Sequence, residues 1–129
     1  MLLESGRSFA VETTLSGHTY FRLIENARER GFLTRLFFVA TDDVEINIER
    51  IRKRVADGGH SVPDADVARR YRRSLINLQR ILPTFDEALM YDNSDERAHR
   101  LFAVARRGVV EVVDCEPPWW KASRSWSAD

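Results

Sequence analysis

Between residues 64 and 82 apolar side chains recur at steps of four, four, three and four: Val67, Tyr71, Leu75, Leu78 and Leu82. That is the helical period, and it predicts an amphipathic helix with this stripe against a core. Arg69, Arg72, Arg73, Ile76 and Arg80 fall largely on another face. Pro63 suits the first turn of such a helix, and Asp64 and Asp66 sit near its positive end. Just upstream, Gly58 and Gly59 close a helix expected over 43–57, which buries Val44, Ile48, Ile51 and Val55. Asp42 and Glu45 have the spacing of a capping box for it. Another helix is expected over 18–30, with Phe21, Ile24 and Ala27 inward and Gly31 as its stop. A short helical end precedes Gly6.

Three strands are expected, over residues 8–14, 33–40 and 88–92. In the second, Leu36-Phe37-Phe38-Val39 is apolar at successive positions, which predicts burial on both faces as in a parallel sheet. Residues 101–106 and 109–114 flank Arg107-Gly108, a hairpin signal. Strand, helix, strand, helix pair and strand make an α/β pattern. The expected fold is a mostly parallel sheet with flanking helices and a C-terminal edge hairpin. It fills one domain over 1–120, with 58–82 as a hinged, arginine-rich lid. Trp119 and Trp120 are expected to pack back on the domain, and 121–129 to form a disordered tail.

Composition narrows the functions open to this chain. Its 129 residues suit one domain with a real core. Twenty basic residues balance twenty acidic ones, so nothing global draws the chain to nucleic acid or membrane, and local clustering must carry any electrostatic function. The arginines do cluster between 50 and 80. The single cysteine, Cys115, rules out a disulfide within the chain and a cysteine-rich zinc site. No histidine pair has a metal-ligand spacing, so no metal site is expected. There is neither a basic segment followed by an apolar run at the start nor an apolar stretch of spanning length, which places the protein in the cytoplasm.

The candidate chemistry sits at strand ends and in the lid. In parallel sheets, ligands bind outside the carboxyl ends of the strands. Glu12, Thr13 and Thr14 end the first expected strand. A carboxylate and two hydroxyls there either bind a sugar or nucleoside or cap the helix that follows. The guanidinium forks of the lid match phosphate oxygens and never lose their charge. The competing reading is that they are the solvated side of an amphipathic helix. His60 lies in the hinge, where it either touches a phosphate or holds the loop. The Gly-x-x-x-x-Gly-Lys-Ser/Thr phosphate loop has no match, and the two lysines, Lys53 and Lys121, follow no glycine loop.

Four stretches taken in order point to a family. They are Phe9-Ala10-Val11-Glu12-Thr13-Thr14-Leu15-Ser16-Gly17, Arg54 through Gly58-Gly59-His60-x-Val62-Pro63, Arg69-Arg70-Tyr71-x-Arg73-Ser74, and Tyr91-Asp92-Asn93-Ser94. Together they resemble the zeta-toxin family of P-loop kinases, some of which phosphorylate UDP-N-acetylglucosamine. The resemblance covers roughly residues 1–115 and matches the C-terminal two-thirds of the family domain. It implies a P-loop-kinase-like fold that uses ATP and Mg²⁺. It implies Glu12, Thr13 and Thr14 as acceptor-binding residues, Arg54, Arg69 and Arg73 as catalytic cations, and Arg52, His60 and Arg70 as phosphate or lid residues. Ser16 stands where the family has an arginine. The family's Walker lysine and catalytic aspartate have no counterpart in this sequence. On this reading the chain is the acceptor-and-lid part of a kinase that needs a phosphate-loop segment in cis or in trans. The alternative is a non-enzymatic module that binds an anion or a protein. Missing core strands would also expose a sheet edge and favour self-association. Nucleic-acid binding through the arginine helix is disfavoured by neutral charge and the lack of a groove-reading motif.

Overall fold

The computed structural model describes residues 2–59, 62–95 and 97–126. In chain order the elements are α1 (Leu2–Ser5), α2 (Thr19–Glu29), β1 (Arg35–Ala40), α3 (Val44–Ala56), α4 (Asp64–Ile81), a 3-10 turn (Leu82–Thr84), β2 (Glu87–Asp92), β3 (Arg100–Arg106), β4 (Val109–Val112) and α5 (Pro118–Ser123).

The stripe of α4 lands where its period places it. Val67, Leu75 and Leu78 are buried, joined by Ile76, Asn77 and Ile81. Ile76, read on the arginine face, is therefore on the core side. Pro63 sits at the N-cap of α4 rather than inside its first turn. The cap of α3 is Asp43, whose Oδ1 accepts from the Glu45 amide at 3.0 Å. The box expected between Asp42 and Glu45 is replaced by this cap one residue later.

Among the described residues the sheet runs in the order β1-β2-β3-β4. Only β1 and β2 are parallel, with Phe38 opposite Met90. β2 pairs β3 and β3 pairs β4 antiparallel. The sheet is thus mixed and mostly antiparallel, which overturns the expected mostly parallel, P-loop-kinase-like sheet. The reason is connection length. Parallel neighbours need a crossover of about a dozen residues or more. The path from β1 to β2 has one, built from α3 and α4. Residues 93–99 and the Arg107-Gly108 turn are too short for one, so the chain must reverse.

Two further strand expectations are corrected. Residues 8–14 form no strand, because they pair with none and the outer edge of β1 stays open. β1 is not buried on both faces: Phe38 is buried, while Phe37 is 62% exposed and Val39 45%. Its even-numbered side chains meet the helices, and its odd-numbered ones lie on the opposite face.

The core lies between one sheet face and α4 with α5. Leu75, Leu78, Met90, Phe102, Trp119 and Trp120 are all essentially inaccessible. Phe102 meets both tryptophans edge to face, with ring centroids 5.3 and 5.8 Å apart. α5 continues through Lys121 and Ala122 to Ser123, and the Arg72 guanidinium lies 4.8 Å over the Trp126 ring. Residues 121–126 of the expected disordered tail therefore contribute a helical turn and a packed ring, and the rest of that stretch lies outside the described residues. No helix among the described residues is long and apolar enough to cross a membrane.

The parallel pair is fastened at its start. The Thr34 amide donates to Asp86 Oδ2 at 2.7 Å, and the Asp86 amide donates to Thr34 Oγ1 at 3.1 Å. The amide hydrogen bond, with help from the Thr34 hydroxyl and Arg107, holds the Asp86 carboxyl below its ordinary range. A lowered carboxyl pKa stabilises the fold above the unfolded value, and this stability fades as pH falls through the folded value. Asp86→Asn is expected to cost about 1.5–3 kcal/mol at neutral pH, the range of a hydrogen bond to a charged group. In urea denaturation the gap from the parent should shrink in acid. Equal midpoints at neutral pH would refute this role.

Candidate functional site

α3 and α4 lie side by side and border an open cavity of about 430 Å³. Asn47, Arg50 and Arg54 reach it from α3, at spacings of three and four that put them on one helix face. Arg70, Tyr71 and Ser74 reach it from α4, and Thr14 and Asn93 also line it. No carboxylate is among the lining residues.

Each polar wall has an identifiable support. Arg50 is half-buried, and its Nη2 donates to the Asn93 carbonyl at 2.8 Å. The Tyr71 hydroxyl donates to the Thr41 carbonyl at 2.7 Å, which ties α4 to the end of β1. Thr41 Oγ1 in turn donates to Asn47 Oδ1 at 3.0 Å. Burial, with Asp42, Asp43 and Asp92 nearby, pushes the Tyr71 phenol up to about 12. Thr14 Oγ1 and Ser16 Oγ are 2.8 Å apart.

The helices meet at Gly58-Gly59. Gly58 has φ +100°, and a Cβ on Gly59 would lie 2.9 Å from the Arg54 carbonyl oxygen. The Gly59 amide donates to that carbonyl at 2.7 Å. The glycine pair thus closes α3 directly behind Arg54.

The residues named from sequence separate into three groups. Thr14, Arg54 and Arg70 come together in the cavity. Among the described residues neither Arg54 nor Arg70 is ion-paired. Arg52 is engaged elsewhere, with Asp64 at 2.8 Å and Glu49 at 2.9 Å, so it bridges α3 to α4 outside the lining. Arg69 pairs with Asp66 at 3.1 Å, and neither Arg69 nor Arg73 lines the cavity. Glu12 and Thr13 line a neighbouring groove of about 870 Å³, and the Thr13 hydroxyl accepts from the Leu15 amide at 3.0 Å. Leu15 has φ +58°, so that hydroxyl braces a strained turn. His60 lies outside the described residues.

Sequence reasoning missed Arg50, Asn47, Tyr71 and Ser74 as lining residues, whereas Asn93 belongs to a strand end at which a ligand is expected. The spacing of Asn47, Arg50 and Arg54 was a usable signal, since three polar residues on one face of an otherwise amphipathic helix mark a second functional side. Tyr71 was read as core alone. Its ring does pack against the core cluster, but its hydroxyl reaches the cavity.

A protein of Haemophilus influenzae, described only as uncharacterized, is 40% identical over 63 residues. The match takes in 49% of this chain and 45% of that protein. No family model matches the chain, and no solved structure does. The zeta-toxin resemblance accordingly rests on its four short stretches.

Tyr71 offers a test of how the cavity is held. A raised phenol pKa means stability that is full below the ordinary value of 10 and is lost as pH rises towards about 12. Tyr71→Phe is expected to lose about 1 kcal/mol at neutral pH, one buried hydrogen bond. It should also flatten the alkaline loss of stability, read by chemical denaturation across that window. An unchanged alkaline slope would show that Tyr71 ionises without cost to the fold.

Proposed function

We propose that this chain holds the phosphate groups of a nucleotide or sugar nucleotide in the cavity between α3 and α4. Arg54 and Arg70 are the binding cations, and Arg50 stands behind them. The observation that carries the reading is three guanidinium groups lining one cavity with no carboxylate among its lining residues. A guanidinium without a carboxylate partner offers its whole fork to an anion, and phosphate accepts two parallel N–H donors from it. Thr14, Tyr71 and Ser74 add hydroxyls, and Asn47 and Asn93 add amides, of the kind that orient a bound sugar or phosphate. With this reading goes a cytoplasmic location, where nucleotides are made and used.

The more particular form of the proposal is the one the zeta-toxin resemblance implies, with ATP as donor and UDP-N-acetylglucosamine as the first acceptor to try. The cavity suits their phosphates. It does not suit magnesium, which prefers carboxylate oxygens. Among the described residues no group of three or more histidine, cysteine, aspartate or glutamate side chains gathers. No transfer step is therefore derived for these residues. The alternative is a non-enzymatic module that binds an anion or a protein. It uses the same cavity and differs only in lacking transfer.

Calorimetric titration with pyrophosphate and with ATP tests the binding itself. Arg54→Ala and Arg70→Ala should each weaken binding by about tenfold or more, the value of a charge-assisted hydrogen bond. Arg69→Ala and Arg73→Ala, outside the cavity, should leave it unchanged. Absence of saturable binding at millimolar ligand would sink the proposal, and so would equal loss in all four variants. Phosphate transfer to UDP-N-acetylglucosamine on adding magnesium would select the kinase form.

A further inference from the structure

A second feature lies beside the arginine cavity and is not used by it. Thr34 and Ala40 give their carbonyls to the Glu87 and Asn93 amides, at 3.1 and 2.8 Å. Backbone groups of alternate residues in a strand point to opposite neighbours. Those of Arg35, Phe37 and Val39 therefore point away from β2, to an edge that no strand among the described residues covers. The devices that usually blunt such an edge are scarce here: residues 36–40 contain no charge and no proline. This edge forms one wall of the groove of about 870 Å³. Phe9 and Val11 also line it, from a stretch that has a strand-like sequence and pairs with no strand among the described residues. Leu23 and Ile24 of α2 complete the apolar lining.

We propose that this groove receives one extended apolar segment of a second polypeptide, paired to the open edge of β1 and carrying an acidic residue at the end that meets Arg50. Three observations select that occupant. Residues 9–14 line the groove together with the β1 edge, so a strand that pairs there must also fit against them, which a single segment does more readily than the folded sheet edge of a second copy. The segment must be apolar, because the lining is mostly so and includes only three charged residues, Glu12, Arg35 and Arg50. Its acidic end is set by charge. Arg35, at the start of β1, is matched by Glu87 at 2.8 Å. Arg50, beside the end of β1, donates to a backbone carbonyl and has no carboxylate partner among the described residues. The groove is also continuous with the arginine cavity through Thr14, Asn47, Arg50, Ser74 and Asn93. An occupant would thus end at the proposed phosphate site and share Arg50 with it, while its main-chain pairing to β1 does not involve Arg54 or Arg70. Main-chain pairing of this kind supplies affinity, and alternate side chains supply selectivity.

The test uses the full chain and synthetic peptides of about eight alternating valine and threonine residues, a common strand length. One peptide ends in two aspartates, one begins with them, and one carries lysines at both ends. Hydrogen exchange should show the Phe37 and Val39 amides gaining protection with one of the acidic peptides. The lysine peptide should bind about tenfold more weakly, and Arg50→Gln should erase that preference. Val39→Pro removes an edge donor without touching the β1–β2 bonds, since proline is tolerated on an edge. It should weaken the acidic peptide by up to about tenfold. Phe37→Lys, at an exposed position, should do the same through the side chain, while pyrophosphate binding through Arg54 and Arg70 persists in both variants. The proposal is overturned if no peptide protects those amides, or if both variants bind as the parent does. It is equally overturned if the chain alone protects the same amides in a concentration-dependent way, because a second copy then takes the edge.

Discussion

The Asp92 carboxylate is the junction on which this fold and its site depend. It ends β2 and is mostly buried, with its side chain 11% exposed. Its Oδ1 accepts from the Trp119 indole at 3.0 Å and from the Ser94 hydroxyl at 2.7 Å. Ser94 Oγ accepts in turn from the Asp42 amide at 2.9 Å. Oδ2 lies 3.6 Å from Arg100 at the start of β3. One carboxylate thereby links the ends of β1 and β2, the start of β3 and the helix α5. A buried charge is tolerated only when its oxygens are satisfied, and removing one partner costs more than the contact is worth. The Tyr91-Asp92-Asn93-Ser94 stretch, which contributes to the family resemblance, is therefore explained first as structure. Only Asn93 of the four lines the cavity.

From that junction the geometry of the cavity follows. Asp92 fixes the end of β2, and the Asn93 carbonyl then holds Arg50. On the neighbouring strand Thr41 holds both Asn47 and Tyr71. α3 and α4 are thus anchored to the ends of the two parallel strands, and their facing sides meet over those ends. Ligands of α/β sheets gather at the carboxyl ends of parallel strands. A mixed sheet with one parallel pair has one such place, and the cavity lies there. The ion pair of Arg52 with Asp64 closes the helical pair from outside. Exposed pairs of this kind are worth roughly 0–1 kcal/mol, so it trims the geometry without setting it.

Much of the element order was legible because local signals and burial agreed. The period of α4, the helix over 43–57 closed by Gly58-Gly59 and the turn at Arg107-Gly108 each carried a local cause in the chain itself. Sheet direction was misread because an alternating order of strands and helices was extended past the point where the connections become short. Residues 93–99 leave no room for a crossover, and that was countable in advance. The strand at 8–14 failed for a different reason. Strand formation needs a partner, and no local pattern reports whether one is present. In the site, counting arginines was less informative than asking which of them face a carboxylate. Arg52 and Arg69 each have an acid three residues away on the same helix, Glu49 and Asp66, a spacing that pairs them on the surface. Arg54 has no acid at the i−3 or i−4 position, whereas Arg70 has Asp66 at i−4, but that carboxylate pairs with Arg69 and, among the described residues, leaves Arg70 without an ion pair.

The same constraint explains why the open edge and the arginine cavity share a wall. β1 is parallel to β2 on one side and unpaired on the other, and its end is where Thr41 gathers Asn47 and Tyr71. Any chain that paired with the outer edge would run beside the same end and reach Arg50 there. Of the five residues that line both cavities Arg50 alone is charged, and it is fixed by Asn93 rather than by an acid. A positive charge held by a neutral carbonyl keeps most of its attraction for anions, whereas one held by a carboxylate loses it to Coulomb neutralisation. The strand edge and the arginine cavity are in this way consequences of one arrangement: a short parallel pair whose outer strand lacks a neighbour among the described residues and whose ends are capped by two arginine-bearing helices.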